Sequence, residues 1–275
     1  MLHREASPFS RGHLERQILS AARLGIYDFD DALQWDSGGG WTRNIIPKPA
    51  KCIAAVRAAD RVVAGNDVLA DWAAGFSRDV VMIPSCVNPE AYTRKNLYTL
   101  SDPPLLGWVG SPSTERYLRL VERPLLELHL RTGVRFRIVS AGAASLGALD
   151  VMVERVPWRQ LDVSRHLAEM DVAIAPLDDG PYERGKCAYK ILQYGASGVP
   201  VVGSPVGANQ LALQRLGGTA ITEPGDWFDA IYTLLTMSAA KRAQIGEHAN
   251  LAVREHYSFA SWESRWRSAV GLDPC

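Results

Sequence analysis

The sequence predicts an α/β protein built on doubly wound parallel sheets, on three observations. Short apolar, β-branched runs recur along the chain and alternate with stretches of helical length. One repeat is especially compact. A strand over Asp171–Leu177, the loop Asp178-Asp179-Gly180-Pro181, a helix over about Cys187–Ala196 and a strand over Val199–Gly203 make one right-handed parallel unit. Length is the third: 275 residues suffice for one large core or two modest ones.

The elements follow in order. Met1–Glu5, Leu24–Phe29, Arg61–Ala64 and Val80–Pro84 read as strands, with helices at Pro49–Ala59 and Asp67–Phe76. Gly38-Gly39-Gly40 reads as a loop, since no helical pattern follows it. Asn88–Pro104, with three prolines, is the linker candidate. Leu105–Gly110 opens the second half and enters the turn Gly110-Ser111-Pro112-Ser113-Thr114, where Ser113 or Thr114 can cap a helix running to about Thr132. Strands at Arg135–Ser140 and Val151–Val156 and helices at Arg159–Met170 and Asn209–Leu216 continue the alternation. The stretch Asp226–Val270 is helical almost throughout, and Phe259, Trp262 and Trp266 form an apolar stripe on its last helix. The expected division is therefore 1–100, 101–255, and a last helix in 256–275.

Composition narrows the function. Lys plus Arg and Asp plus Glu both number 30, so no overall field points to nucleic acid or acidic lipid. Four scattered cysteines form no CxxC pair, and six histidines show no HxxxH or HxH spacing, which argues for reduced thiols and against a zinc site. No apolar run approaches the roughly 20 residues that span a bilayer. A cytoplasmic location is expected, with peripheral contact at the inner membrane as the second option.

The chemistry concentrates in Tyr182–Gly207. Carboxyl edges of parallel sheets bind ligands, and a helix beginning there favours an anion at its amides. The amides of Gly185, Lys186 and Cys187, with the charges of Arg184, Lys186 and Lys190, read as a diphosphate cradle. Solvated loop residues are the alternative for Arg184 and Lys186. Asp28, Asp30 and Asp31, three acids in four positions after a strand, suit acceptor binding or proton removal; a helix-capping pair plus one solvated acid is the alternative. Trp158 could stack on a base or simply be core.

The segment GKCAYKILQYGASGVPVVGSPVGAN resembles the donor-sugar segment of retaining GT-B glycosyltransferases of family four, in the bacterial branch tied to surface polysaccharides and glycosylated metabolites. Collinear matches are Tyr27–Ala32, Ala64-Gly65-Asn66, Ile83-Pro84 and Gly107–Thr114. The resemblance implies two Rossmann-like domains in a GT-B-like α/β fold, the first abbreviated, with the last helix returning to that first domain. It implies transfer of a sugar from a nucleoside diphosphate sugar to a hydroxyl or amine, with retention, no metal and no cofactor. The acceptor would be a glycan, a lipid-linked molecule or a small metabolite. An Arg and a Lys that relatives use at the diphosphate align with Ser111 and Arg116, so Arg184 and Lys186 are expected to replace the lost charge. The two glutamates of the family's E-x7-E align with Gly185 and Gln193. Gln193 can still serve a ribose, while Glu183 and Asp179 are the nearby substitutes for the first. Gly110 would admit ligand close to backbone, Lys190 would complete the cradle, and Cys187 would offer its amide while its side chain stays small and buried. An abbreviated first sheet implies a homodimer covering its edge. A non-catalytic nucleotide-sugar-binding module that needs a partner chain, and a GT-B-shaped epimerase or phosphorylase, remain the alternatives.

Overall fold

The structure is a computed structural model that describes residues 1–35 and 48–272. The Gly38-Gly39-Gly40 loop lies outside the described residues. The strands are β1 (Leu2–His3), β2 (Ile26–Phe29), β3 (Arg61–Ala64), β4 (Val80–Met82), β5 (Leu105–Val109), β6 (Arg135–Ser140), β7 (Val153–Pro157), β8 (Val172–Ala175), β9 (Val201–Gly203) and β10 (Thr219–Ala220). The helices are α1 (His13–Ala21), α2 (Lys48–Ala58), α3 (Asp67–Ala74), α4 (Glu122–Thr132), α5 (Val163–Glu169), α6 (Pro181–Arg184), α7 (Tyr189–Ala196), α8 (Ala208–Leu216), α9 (Trp227–Thr236), α10 (Ala239–His256) and α11 (Phe259–Ala269).

The chain forms two compact units. One comprises Met1–Cys86, Asp179–Cys187 and Phe259–Cys275; the other comprises Val87–Asp178 and Ala188–Ser258. The second unit thus begins ahead of residue 101, the boundary expected from sequence. The segment Asp179–Cys187, placed in the second half by sequence, groups with the first unit.

In the first unit, β1-β2-β3-β4 form a parallel sheet in chain order. Side chains alternate across it, as the period of a strand demands. Tyr27, Phe29, Val62 and Ala64 pack on one face with Leu69 of α3. Ile26 and Val63 pack on the other with Ile83, Trp262, Trp266 and Ala269. Helix α11 therefore covers the face that α3 leaves open. The expected stripe needs one correction: Phe259 is 62% exposed, and the packed row is the partly buried Trp262 and Trp266 with the buried Ala269. Their spacing of four and three keeps them on one helix face. Arg61 anchors the end of α11 by donating to the carbonyls of Ser268 and Ala269 at 3.0 and 3.2 Å. Replacing Trp262 with alanine is expected to cost about 1–2 kcal/mol, because the ring is only partly buried. Urea unfolding followed by tryptophan fluorescence and far-UV circular dichroism checks it.

In the second unit the sheet runs β10-β9-β8-β5-β6-β7, parallel throughout. Strand order reverses between β5 and β8, the kind of switch point at which such sheets take ligands. Leu106, Trp108, Phe136, Ile138 and Ile174 face α4 and α9. Val109, Val139, Ala173 and Ala175 face α7, α8 and α10. Both faces are covered, so the strands read as nearly continuous apolar runs.

The segment expected to be a linker, Asn88–Pro104, is instead fastened to the second unit. The Lys95 amide donates to the Ser197 carbonyl at 2.8 Å, and the Tyr98 hydroxyl donates to the Gly198 carbonyl at 2.8 Å. Arg242 donates in turn to the Tyr98 carbonyl at 2.9 Å. Prolines here remove donors without freeing the chain, because backbone and side-chain bonds to the second unit supply what regular structure would have supplied. The expected helix after Thr114 is also divided. Pro112–Val121 is 3-10 helix and only Glu122–Thr132 is α-helix.

Candidate functional site

At the carboxyl edge of the first sheet, β1 delivers His3 and Arg4, and β2 delivers Asp28, Asp30 and Asp31. His3 Nδ1 lies 2.6 Å from Asp28 Oδ2. Arg4 Nε donates to Asp30 Oδ1 at 2.7 Å, and Lys186 Nζ stands 3.6 Å from Asp31 Oδ1. Asp31 Oδ1 is buried without a hydrogen-bond partner among the described residues. Burial raises the Asp28 pKa above the ordinary carboxylate value, against the lowering bond from His3. The three acids are therefore neither a helix-capping pair nor simply solvated. They form a charged cluster balanced by cations from two other segments. His3 and Arg4 carried no sequence signal, because only β1–β2 pairing brings them beside the acids.

The raised Asp28 pKa has a consequence for stability. A carboxyl whose folded pKa exceeds its unfolded value stabilises the fold while protonated. That contribution is lost as pH rises from about 4, the unfolded value, through the folded one. Asp28→Asn lacks this loss. Its melting temperature relative to the parent is expected to rise as pH is taken from about 4 to about 6; a constant difference across that range removes the assignment.

The loop Asp179–Cys187 differs from the expected cradle. Helix α7 begins at Tyr189 rather than Cys187, because Ala188 takes a left-handed φ of 57° and breaks the path into it. The amides of Gly185 and Lys186 are not free for an anion, since both donate to the Glu183 carbonyl in closing the short helix α6. Gly185 is explained by packing: a Cβ there would lie 2.3 Å from Ala32 Cβ. Cys187 is buried, and its Sγ accepts from Asn66 Nδ2 at 3.4 Å; desolvation pushes the thiol up to about 12. Asn66 caps α3 by accepting from the Leu69 amide, which leaves its amide group to donate to the Lys186 carbonyl at 3.1 Å. Arg184 lies on the surface in a two-pronged pair with Asp179, at 2.6 and 3.0 Å. Glu183 is buried. Of the cationic pair expected to replace the lost charge, Lys186 reaches the acidic cluster and Arg184 turns to Asp179.

The second unit gathers the remaining residues at its own carboxyl edge. β5 leads into Gly110 and Ser111, and a Cβ on Gly110 would meet the Trp108 ring at 2.4 Å and Lys190 Cε at 2.9 Å. Lys190, in the first turn of α7, is thereby set against the Gly110 turn, its Nζ 5.3 Å from the Trp108 ring centre. The Gly110 amide donates to the Val139 carbonyl at 3.1 Å. Gly110 is therefore explained by the close approach of Trp108 and Lys190, and its N–H is already used. Arg116 follows in the 3-10 stretch and donates to the Tyr117 hydroxyl at 2.9 Å. Trp158, just past β7, is 47% exposed and is not core. Gln193 is buried on α7 and donates to the Tyr92 hydroxyl at 3.3 Å. A missed element holds this edge together. Glu115 is buried, accepts from the Ser140 hydroxyl at 2.6 Å, and pairs with Arg155 at 3.1 Å. Its partners lie 25 and 40 residues away, beyond any local pattern.

Residues 103–237 match the family model described as Glycosyl transferases group 1. No curated protein sequence matches the chain. Among solved structures, WaaG, a glycosyltransferase involved in lipopolysaccharide biosynthesis, superposes with a TM-score of 0.68 at 15% identity, over 90% of this chain and 75% of its own. HepE of Anabaena, in complex with UDP-glucose, gives 0.66 at 15% identity, over 90% and 71%. TarM gives 0.64 at 14% identity, over 89% of this chain. The chain spans 50% of the TarM chain it matches. At these identities the likeness establishes the fold: two Rossmann-like parallel sheets of four and six strands, as in GT-B proteins. Among the described residues no helix is long and apolar enough to cross a membrane.

Proposed function

We propose that this protein is a glycosyltransferase that moves a sugar from a nucleoside diphosphate sugar to an acceptor hydroxyl or amine, with retained configuration and without a metal. One observation carries the proposal: the stretch matching group 1 glycosyl transferases contains the edge at which the Gly110 turn faces Lys190. The complex of HepE with UDP-glucose favours UDP as the nucleotide. The acceptor belongs to the glycan, lipid-linked or small-metabolite class.

In the reaction the sugar C1–O bond to the diphosphate breaks, a C1–O or C1–N bond to the acceptor forms, and the acceptor gives up a proton. Lys190 and Arg116 would neutralise the leaving diphosphate, a role preorganised charge performs most effectively where charge develops. The Gly110-Ser111 turn would stand beside it, Gln193 would serve the ribose, and Trp158 would stack on the base. On the first unit, Asp28 and Asp30 would bind the acceptor, with Asp28, its pKa raised, as the proton acceptor. Lys186, 3.6 Å from Asp31 Oδ1, would hold the acids of that unit in place. A two-fold dimer covering the outer edge of the first sheet, which β1 forms, is the proposed assembly.

The test is turnover of UDP-glucose with a panel of sugar acceptors in EDTA, followed by proton NMR of the anomeric signal. A product of donor configuration, formed in chelator, supports the proposal. An inverted product overturns retention, loss of turnover restored by magnesium overturns metal independence, and turnover with every acceptor absent from the products overturns transfer.

A further inference from the structure

The second unit has a cavity of about 470 Å³ at the opposite end of its sheet from Lys190. Leu105 and Arg135, which open β5 and β6, and Asp171, which precedes β8, place it at the amino edge. Five basic side chains line it: Arg94, Lys95, Arg135, Arg137 and Arg165. Only two acids do, Glu169 and Asp171.

Each cation has an acid partner, but three of those partners, Glu154, Glu247 and Asp162, stand outside the lining. Asp171 is committed to the backbone, accepting from the Ser101 and Leu105 amides at 3.1 and 2.9 Å, and stands 3.8 Å from Lys95 Nζ. Glu169 pairs with Arg137, which also shares Glu154 with Arg135. Lys95 has a side chain only 6% exposed, and burial lowers its pKa. Beyond Asp171 it has the Ala168 carbonyl at 3.3 Å. The Arg135 Nε–H is buried with no acceptor among the described residues. A buried donor without an acceptor costs free energy, and Arg135 is one of the residues that line the cavity. Arg94 and Arg165, at 53% and 62% side-chain exposure, stand at the rim in single contacts to Glu247 and Asp162. Thr93, Thr99 and Ser101 complete the lining with hydroxyls.

We propose that this amino-edge cavity is a second ligand site, taking a small polyol that carries more than one phosphate group. Guanidinium forks match phosphate oxygens in geometry as well as charge. The hydroxyl side chains match a polyol ring, and the volume lies within the ordinary range for small-molecule sites. The site does not depend on the transferase proposal, since it shares no residue with the carboxyl edge.

Calorimetric titration with fructose bisphosphate is the test, with free fructose as the uncharged control. The parent is expected to bind the bisphosphate and not fructose, more weakly as salt rises. Arg94→Glu combined with Arg165→Glu, both exposed and distant from the core, is expected to weaken binding at least tenfold while the affinity for UDP stays within twofold. Lys95→Met should also weaken the bisphosphate, with circular dichroism confirming the fold. Lys190→Ala should leave bisphosphate binding unchanged while UDP binding falls. No binding at millimolar bisphosphate, or competition between UDP and bisphosphate for one site, overturns the proposal. Loss of UDP binding in the parent would sink the transferase proposal alone.

Discussion

Asp171→Ala is expected to lower the unfolding free energy by about 3–5 kcal/mol, the scale for removing one partner from a buried ion pair. The carboxylate is 2% exposed and serves two backbone amides and the Lys95 ammonium at once. Without it, Lys95 keeps a carbonyl partner but loses its counter-ion, and the Ser101 and Leu105 amides lose their acceptor. Strand β5, the centre of the second sheet, begins at that amide. Urea unfolding measures the loss. Adding Lys95→Met to the variant should return part of it, because the stranded charge is then gone; equal stability of single and double variants would show that the amides alone carry the effect.

Lys190→Ala is expected to weaken UDP binding by about 1–3 kcal/mol, roughly five- to 150-fold, the range for a charge-assisted hydrogen bond. The fold should be unaffected, because Lys190 is half-buried at a helix start and lies over Trp108 without filling a cavity. Calorimetry with UDP on both proteins gives the ratio. Lys186→Ala is expected to do less, since Lys186 already faces the Asp31 carboxylate and the Tyr182 ring. An unchanged UDP affinity in Lys190→Ala would remove that side chain from the donor site.

The strands were legible because each is apolar and short, and Arg61–Ala64 and Arg135–Ser140 fall where the pattern puts them. The two-residue strands Leu2–His3 and Thr219–Ala220 are too short to announce themselves by period, and the second was missed. The division into units was less legible, because one unit is assembled from three separate stretches of chain. Within the site, the acids of Asp28–Asp31 were visible and their partners were not. Partnership there depends on strand pairing, which lies in no local signal. The reading of Gly185–Cys187 as an anion cradle failed at a single backbone conformation. Glycine before a helix suggests open amides, but Ala188 breaks the path, α6 uses the Gly185 and Lys186 amides, and Gly185 is needed against Ala32. Lys190 carries its charge on a side chain, so it keeps its place whatever the backbone before it does.

The central proposal, a nucleotide-sugar site at the carboxyl edge of the six-stranded sheet, is tested most directly by a crystal structure of the protein soaked with UDP. The diphosphate is expected within hydrogen-bond reach of Lys190 and beside the Gly110-Ser111 turn, with the base toward Trp158. UDP bound only in the amino-edge cavity, or no bound UDP in crystals soaked well above the dissociation constant measured for the protein in solution, would contradict it.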